Sequence, residues 1–375
     1  MRLRKDRERA GSGMDIAILG GGNGAYAAAA DLSEQGHRVR LWRRDGAALA
    51  AVAESGRIVL TDHQGRREVA LHRVTADLGE AVDGAALVLA PVPATAQEDL
   101  ARALAPHLRD GQVLFLPPGT FGSYVMARAI ADAGGAAIAI AEAGTLPWLA
   151  RKRGPREVAI SARATRLPAG VFPAARAGAA FEVLQAALPA VEPLADALDG
   201  ALVNAGPIIH PPLIVMNAGP IEHFERWDIH AEGTQASIRR VTDALDEERV
   251  AVREALGYGA PHYRLRDHYA VSGEEWMYGN SAHERLVDSG DWREPIDLAG
   301  HRYMREDVAC GLAFLVSVAR WAGVAAPVAG GLLAIASAML GEDLRRTGRT
   351  LEAMGLARLS RAEMRALLAD GPGGA

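Results

Sequence analysis

The sequence predicts an α/β domain built on a doubly wound parallel sheet, followed by an all-α C-terminal domain. Three observations carry this. Strand-like and helix-like stretches alternate through the first half from residue 15, a pattern that yields a parallel sheet with helices on its faces. A glycine cluster, Gly20-Gly-Gly22-Asn23-Gly24-Ala25, falls where the first strand would turn into the first helix. After about residue 190 strand-like alternation almost disappears and helical spacing takes over. Residues 1–13 are expected as a flexible extension, 14–185 as the first domain and 186–375 as the second.

The elements follow in order. Residues 16–19 are a short apolar run, residues 25–35 have helical composition, and Gly36 is placed to end that helix. Residues 37–42 alternate, with Val39 and Leu41 facing one way. Residues 85–90 and 112–116 read as buried strands, 138–140 as a shorter one and 157–161 as a late one; residues 97–105 and 124–132 are helical between them. In the second half, residues 237–256, 306–321, 330–340 and 361–368 have helical spacing. The boundary near 185 lies by the Ala/Pro-rich stretch around Pro189 and Pro193, and the Gly/Pro-rich residues 370–375 are expected to fray.

Composition narrows the function. The 375 residues suffice for two domains, and 49% hydrophobic residues exclude disorder as the main state. With 41 basic against 46 acidic residues the net charge is −5, which argues against a dedicated nucleic-acid binder. A single cysteine, Cys310, excludes an intrachain disulfide framework and a cysteine zinc cluster, and points to a reducing compartment, the cytoplasm. Residues 1–13 are basic but lack the apolar stretch of a signal peptide; Met14 is an alternative start. Residues 321–340 carry no charge over a length that spans a bilayer, but Pro327, Gly323, Gly330 and Gly331 interrupt them, so buried helices are expected and no membrane span.

The glycine cluster fits G-x-G-x-x-A through Gly20, Gly22 and Ala25. Gly20 permits the tight turn, Gly22 lets backbone approach a pyrophosphate, and Ala25 lets the helix pack close to the sheet. With Asn23 and Gly24 these residues open a helix whose free N–H groups attract phosphate. The first domain is therefore predicted as a Rossmann domain. Its second strand ends Trp42-Arg43-Arg44-Asp45. An acidic residue there would take the ribose 2′-OH of NAD, whereas arginines accommodate the 2′-phosphate of NADP. Two arginines precede the carboxylate, so NADPH is the expected cofactor, with NADH also open; the competing arrangement has both arginines in solvent and Asp45 on the ribose.

Two stretches of the second half are unusual: Asn204 to Pro212 with its continuation Asn217 to Glu222, and Arg302-Tyr-Met-Arg-Glu-Asp307-Val308. A dehydrogenase needs a proton relay beside the hydride acceptor, for which histidine with a carboxylate partner is suited, and an arginine fork to clamp an anionic substrate. Spacing alone does not select among the eleven histidines. Asp307 also suits a helix salt bridge, and Arg302 suits an i, i+4 pair with Glu306. Asn204 and Asn217 suit buried turns better than catalysis. His223, His230, His262, His268, His283 and His301 show no zinc-ligand spacing, so no metal is expected.

Taken together, the glycine turn, the Asn204 to His210-Pro stretch, the Arg302 to Val308 stretch and Gly348-Arg-Thr-Leu-Glu-Ala-Met-Gly-Leu356 resemble the octopine/nopaline (opine) dehydrogenase family, from Met14 to about Leu359. Glu142-Ala-Gly-Thr145-Leu-Pro147 is similar to a further family stretch. The resemblance implies a Rossmann domain joined to a helical domain with the active site between them, and NAD(P)H-dependent reductive condensation of an α-keto acid with an amino-acid amine. It implies His210 as the catalytic histidine, Asp307 as its carboxylate partner, Arg302 as the substrate-carboxylate ligand and, more weakly, Thr145 as a cleft residue. Ala309 departs from a proline common in the family. Residues 228–235 and 267–280 are less familiar and are expected to face the amine.

Two other readings stay open on the residues alone. A keto-acid or ketone reductase of the ketopantoate-reductase type shares the two-domain plan, and a non-catalytic dinucleotide sensor needs the glycine turn only. The apolar helical surfaces of the second half are compatible with a homodimer.

Overall fold

The computed structural model describes residues 13–269, 277–278 and 292–371. The expected extension lies outside the described residues apart from Gly13. So do His283, most of 270–280 and the last four residues of the expected frayed end.

The first half forms an eight-stranded sheet in the order β12-β11-β8-β7-β6-β1-β2-β5. Its strands are β1 (Asp15–Leu19), β2 (Arg38–Trp42), β5 (Arg73–Thr75), β6 (Leu87–Leu89), β7 (Val113–Leu116), β8 (Ala139–Ala143), β11 (Leu167–Phe172) and β12 (Val191–Pro193). From β5 across to β8 all neighbours are parallel, and β11 runs antiparallel to β8. Strand order reverses direction between β1 and β6, so the crevice beyond their carboxyl ends is the topological switch point where such sheets bind ligands. Helices α1 (Asn23–Glu34), α2 (Gln97–Leu104), α3 (Gly122–Asp132) and α4 (Ala177–Ala187) cover the faces. Ile16 and Ile18 of β1 are fully buried, as are Ala27 to Ala30 of α1, which explains why these stretches are apolar throughout.

A second sheet, in the order β4-β3-β10-β9, was not expected as a unit. It comprises β3 (Arg57–Asp62), β4 (Gly65–Ala70), β9 (Trp148–Gly154) and β10 (Glu157–Arg163). The late strand expected at 157–161 is β10, in this sheet and not in the main one. The sheet packs over α1: Trp148 Nε1 donates to Asp31 Oδ2 at 2.8 Å, and Arg163 bridges Asp31 and Asp62.

The main sheet's last strand, β12, pairs with β11 and lies beyond the division expected at 185, which falls inside α4. Beyond Pro193 the described residues are helical or loop apart from a two-stranded ribbon of β13 (Trp227–Asp228) and β14 (Arg293–Glu294). Helix α5 (Gly206–Met216), α6 (Ala236–Leu256), a π-helix over Tyr303–Leu312 running into α7 (Ala313–Ala322), α8 (Pro327–Leu340) and α9 (Arg361–Asp370) form the body of this part. Buried Arg249 of α6 pairs at 2.7 Å with Asp246 one turn earlier in the same helix, and buried Arg253 pairs at 2.7 Å with Asp199, tying α6 to the segment that follows the main sheet. Among the described residues no helix is long and apolar enough to cross a membrane.

Candidate active site

The glycine turn links β1 to α1. Gly20 has φ +139°, a conformation L side chains rarely adopt, and its N–H donates to Trp42 O at 2.8 Å, holding the turn against the end of β2. A Cβ on Gly22 would meet no atom within 4 Å, so the backbone is open to an approaching group there. A Cβ on Gly24 would collide with Leu146, and Ala25 is buried against the sheet. Asn23 does not point into the turn; its Oδ1 accepts Lys152 N–H at 2.9 Å. Arg43 lies across Gly21, where a Cβ would run into its side chain, and Arg44 is exposed. Asp45 accepts Ala47 N–H at 3.1 Å and caps a 3₁₀ turn. The open backbone at Gly22, the helix N-terminus and the basic end of β2 fit a dinucleotide.

The second constellation is built by two facing segments. Helix α5 carries His210 followed by Pro211 and Pro212, each without an N–H to donate within the helix. Opposite runs the π-helix, a wider helix type that is rare and concentrates at functional sites. Glycines set the close approach: a Cβ on Gly206 would strike Asp307, and one on Gly311 would strike Pro207. His210 Nδ1 and Asp307 Oδ2 are 2.8 Å apart, and both side chains are largely buried. Tyr303 stacks on the His210 ring with centroids 3.7 Å apart and planes 8° from parallel. The Tyr303 hydroxyl is 2.8 Å from His230 Nε2. The imidazole is thus fixed by an in-plane carboxylate and a face-on ring.

Beside this pair, Arg302 is 61% exposed and its Nε is 3.8 Å from Glu306 Oε2, too long for a hydrogen bond. The i, i+4 contact exists, but it leaves the guanidinium donors available. Glu306 Oε1 accepts Ala94 N–H at 3.1 Å, in the segment that follows β6. Burial and the Asp307 carboxylate push the Glu306 carboxyl above its ordinary range, against the pull of Arg302 and Arg349. Arg349 completes the join: it donates to Ala94 O at 2.7 Å, Thr120 O and Gln97 Oε1 at 2.9 Å, and Gly119 O at 3.3 Å. The π-helix is therefore anchored to the loops beyond β6 and β7, on the carboxyl side of the sheet. The segment that carries Asp307 and Arg302, with His210 opposite, is thereby held on that side of the sheet.

Residues 193–340 match the family model for the NAD/NADP octopine/nopaline dehydrogenase α-helical domain, and residues 15–116 match the NAD-dependent glycerol-3-phosphate dehydrogenase N-terminus. An opine dehydrogenase of Arthrobacter sp. (strain 1C) is 29% identical over 355 residues, covering 93% of this chain and 97% of that protein. The chain is similar to opine dehydrogenases along nearly its whole length. The fold agrees with solved structures. Octopine dehydrogenase in complex with NADH and agmatine superposes with TM-score 0.70 at 21% identity, over 95% of this chain and 98% of that one. NADP+-bound yersinopine dehydrogenase does so with TM-score 0.65 at 16% identity, over 96% and 99%.

Thr145 follows β8 and its hydroxyl lies 3.0 Å from the Tyr278 hydroxyl, which also donates to Leu146 O. Asn204 Nδ2 donates to Thr120 Oγ1 at 2.8 Å while its Oδ1 accepts Gly206 N–H at 3.0 Å, so Asn204 sets the start of α5. Asn217 Nδ2 donates to Leu213 O and Gly233 O. Both asparagines are buried turn residues. Thr120 and Phe121 have positive φ, and their loop is held by Glu142, which accepts Phe121 N–H at 2.7 Å and Ser123 N–H at 3.3 Å. Burial raises the Glu142 carboxyl to about 7. Among the described residues no group of three or more His, Cys, Asp or Glu side chains is arranged to hold a metal. Sequence reasoning missed Tyr303, His230, Glu306, Arg349 and Lys152 as site neighbours. Tyr303 and Glu306 carried a signal in their place inside the 302–308 stretch, and His230 in its place inside 228–235; Arg349 and Lys152 carried none as site neighbours.

His301 offers a measurable consequence. Its Nδ1 accepts Tyr303 N–H at 3.3 Å, and burial first, then the nearby His210 and Arg302, lower it from 6.5 to about 4. Between these values the unfolded chain binds the extra proton, so stability is full above pH ~6.5 and falls toward pH ~4. Replacing His301 with Gln is expected to flatten that fall by up to about 1.4 kcal/mol per pH unit, read from urea midpoints between pH 7 and 5. Equal slopes in both proteins would contradict it.

Proposed function

We propose that the enzyme reduces the imine formed between an α-keto acid and the amine of an amino acid, with NADPH preferred over NADH, in the cytoplasm. The observation that carries this is the 2.8 Å His210–Asp307 pair set beside an available Arg302 on a segment tied to the dinucleotide crevice. Gly20, Gly22, Gly24 and Ala25 shape the turn for the pyrophosphate, the open backbone at Gly22 being its approach. Arg43 and Arg44 favour a 2′-phosphate, while Asp45 is already engaged as a cap. Asn23 braces the turn.

When bound, the reduced nicotinamide supplies the hydride; the chain's residues do the rest. Arg302 holds the keto-acid carboxylate through its planar fork. With Nδ1 engaged by Asp307, His210 presents Nε2 to the substrate. Nε2 takes a proton from the amine nitrogen, before or after that nitrogen attacks the keto carbon, and the protonated ring then gives this proton to the hydroxyl that leaves the carbinolamine as water. Asp307 stabilises the imidazolium, and the Tyr303 face lies against it. Thr145, with Tyr278, lines the same side of the site. The named ligands of related enzymes, agmatine, arginine and pyruvate, support this pairing of an amine with a keto acid.

The test is oxidation of NADPH, and separately NADH, with a panel of α-keto acids, each with and without mixed amino acids. Oxidation only when both substrates are present, faster with NADPH, is expected. Oxidation with a keto acid alone would identify a simple reductase instead.

A further inference from the structure

We propose that Lys152 is a second cation for the 2′-phosphate of NADPH, delivered to the glycine turn by the small sheet; this rests on the cofactor preference proposed above. Lys152 stands in β9, and its own N–H is fixed by Asn23 at the first turn of α1. Its ammonium lies 3.9 Å from the Tyr26 ring centroid and 3.5 Å from Gly21 O. Tyr26 is held in turn by its hydroxyl, which donates to Pro155 O at 2.8 Å in the same hairpin. Gly21 is also the residue across which Arg43 lies. Two cations from different elements thus converge on one backbone position, at the end of β2 where a ribose 2′ substituent is read.

Their surroundings separate them from the other cations of this region. Arg38 and Arg40 pair with Asp15, Arg67 with Glu34 and Asp62, and Arg163 with Asp31 and Asp62. Among the described residues no carboxylate pairs with Arg43 or Lys152. Burial first, and then the Arg43 charge beside it, hold the Lys152 ammonium below its usual range. An anion placed there relieves this repulsion. The residue type is telling as well. The chain has two lysines, Lys5 and Lys152, against an arginine at nearly every other basic position. A compact ammonium stands over the Tyr26 ring where a planar guanidinium, with its wider fork, would compete with Arg43 for the same space.

The experiment is an equilibrium titration of the intact protein with NADPH and with NADH, without substrates, for wild type, K152M and R43A, with thermal melts confirming the fold. K152M is expected to weaken NADPH about tenfold or more while NADH stays within about twofold. In wild type, NADP+ but not NAD+ is expected to shield Lys152 from reductive labelling by pyridoxal phosphate, read by peptide mass. A K152M protein that keeps the NADPH preference lost in R43A overturns the Lys152 assignment alone. Equal loss of both dinucleotides in K152M also overturns it, since it would place the ammonium on the shared pyrophosphate. A wild type without preference for NADPH overturns the cofactor reading and the assignment together.

Discussion

Replacing His210 with Ala is expected to lower turnover by ~10²–10⁴ while leaving dinucleotide binding intact. The ring sits between the Asp307 carboxylate at 2.8 Å and the Tyr303 face at 3.7 Å, and no other histidine occupies that position among the described residues. His230 is the nearest alternative, with a ring centroid 6.2 Å away, but its Nε2 is engaged by the Tyr303 hydroxyl. Asp307→Asn is a sharper probe. It keeps the shape and the hydrogen-bonding reach, but the amide no longer stabilises an imidazolium and permits the wrong tautomer. Its effect is expected at kcat and at the acid limb of the pH profile, with little change in stability. Retention of more than about a tenth of wild-type turnover by His210→Ala would remove this residue from the mechanism.

Arg302→Met is expected to raise KM for the keto acid by about 10², the loss of a bidentate, charge-assisted clamp. KM for the amine and affinity for the dinucleotide should move little. The basis is that Arg302 is the member of its stretch whose guanidinium is both exposed and without a hydrogen bond among the described residues, the Glu306 contact being 3.8 Å. Arg302→Lys keeps the charge and loses the fork, so an intermediate KM is expected. If Arg302 serves only to pair with Glu306 on the helix surface, both variants will keep KM within about threefold of wild type, since exposed pairs of this kind contribute little.

The division of labour between sequence and structure shows in particular residues. The β1–turn–α1 unit was legible because local conformation and function coincide there: a tight turn requires Gly20, and backbone access requires Gly22. The parallel strands β1, β6, β7 and β8 were legible because strands covered on both faces are apolar without interruption, and β2 because its residues alternate; the edge strand β5, with Arg73 exposed, was not. The small sheet was not. Its strands β4 and β9 carry arginines along exposed or half-buried edges, and what makes them a sheet is the α1 surface they cover, invisible to any local window. The π-helix was expected only as a helix beginning at Glu306, because a hydrophobic period does not register the wider turn.

By itself the sequence determined the fold class and the dinucleotide turn, and through a resemblance in motif order it put forward His210, Asp307 and Arg302 as candidates. Only the tertiary structure brings His210 against Asp307 and ties their segment to the loops after β6 and β7. That depends on contacts between residues far apart in the chain. Gly206 lets Asp307 approach α5, Glu306 reaches Ala94 across 212 positions, and Arg349 binds the loops after β6 and β7. The same holds for Lys152, which is 131 residues from Gly21 and acquires its meaning only when the small sheet folds over α1. Local sequence encodes torsional preference and burial. Which charges end up unpaired beside a ligand site is set by which distant surfaces pack together.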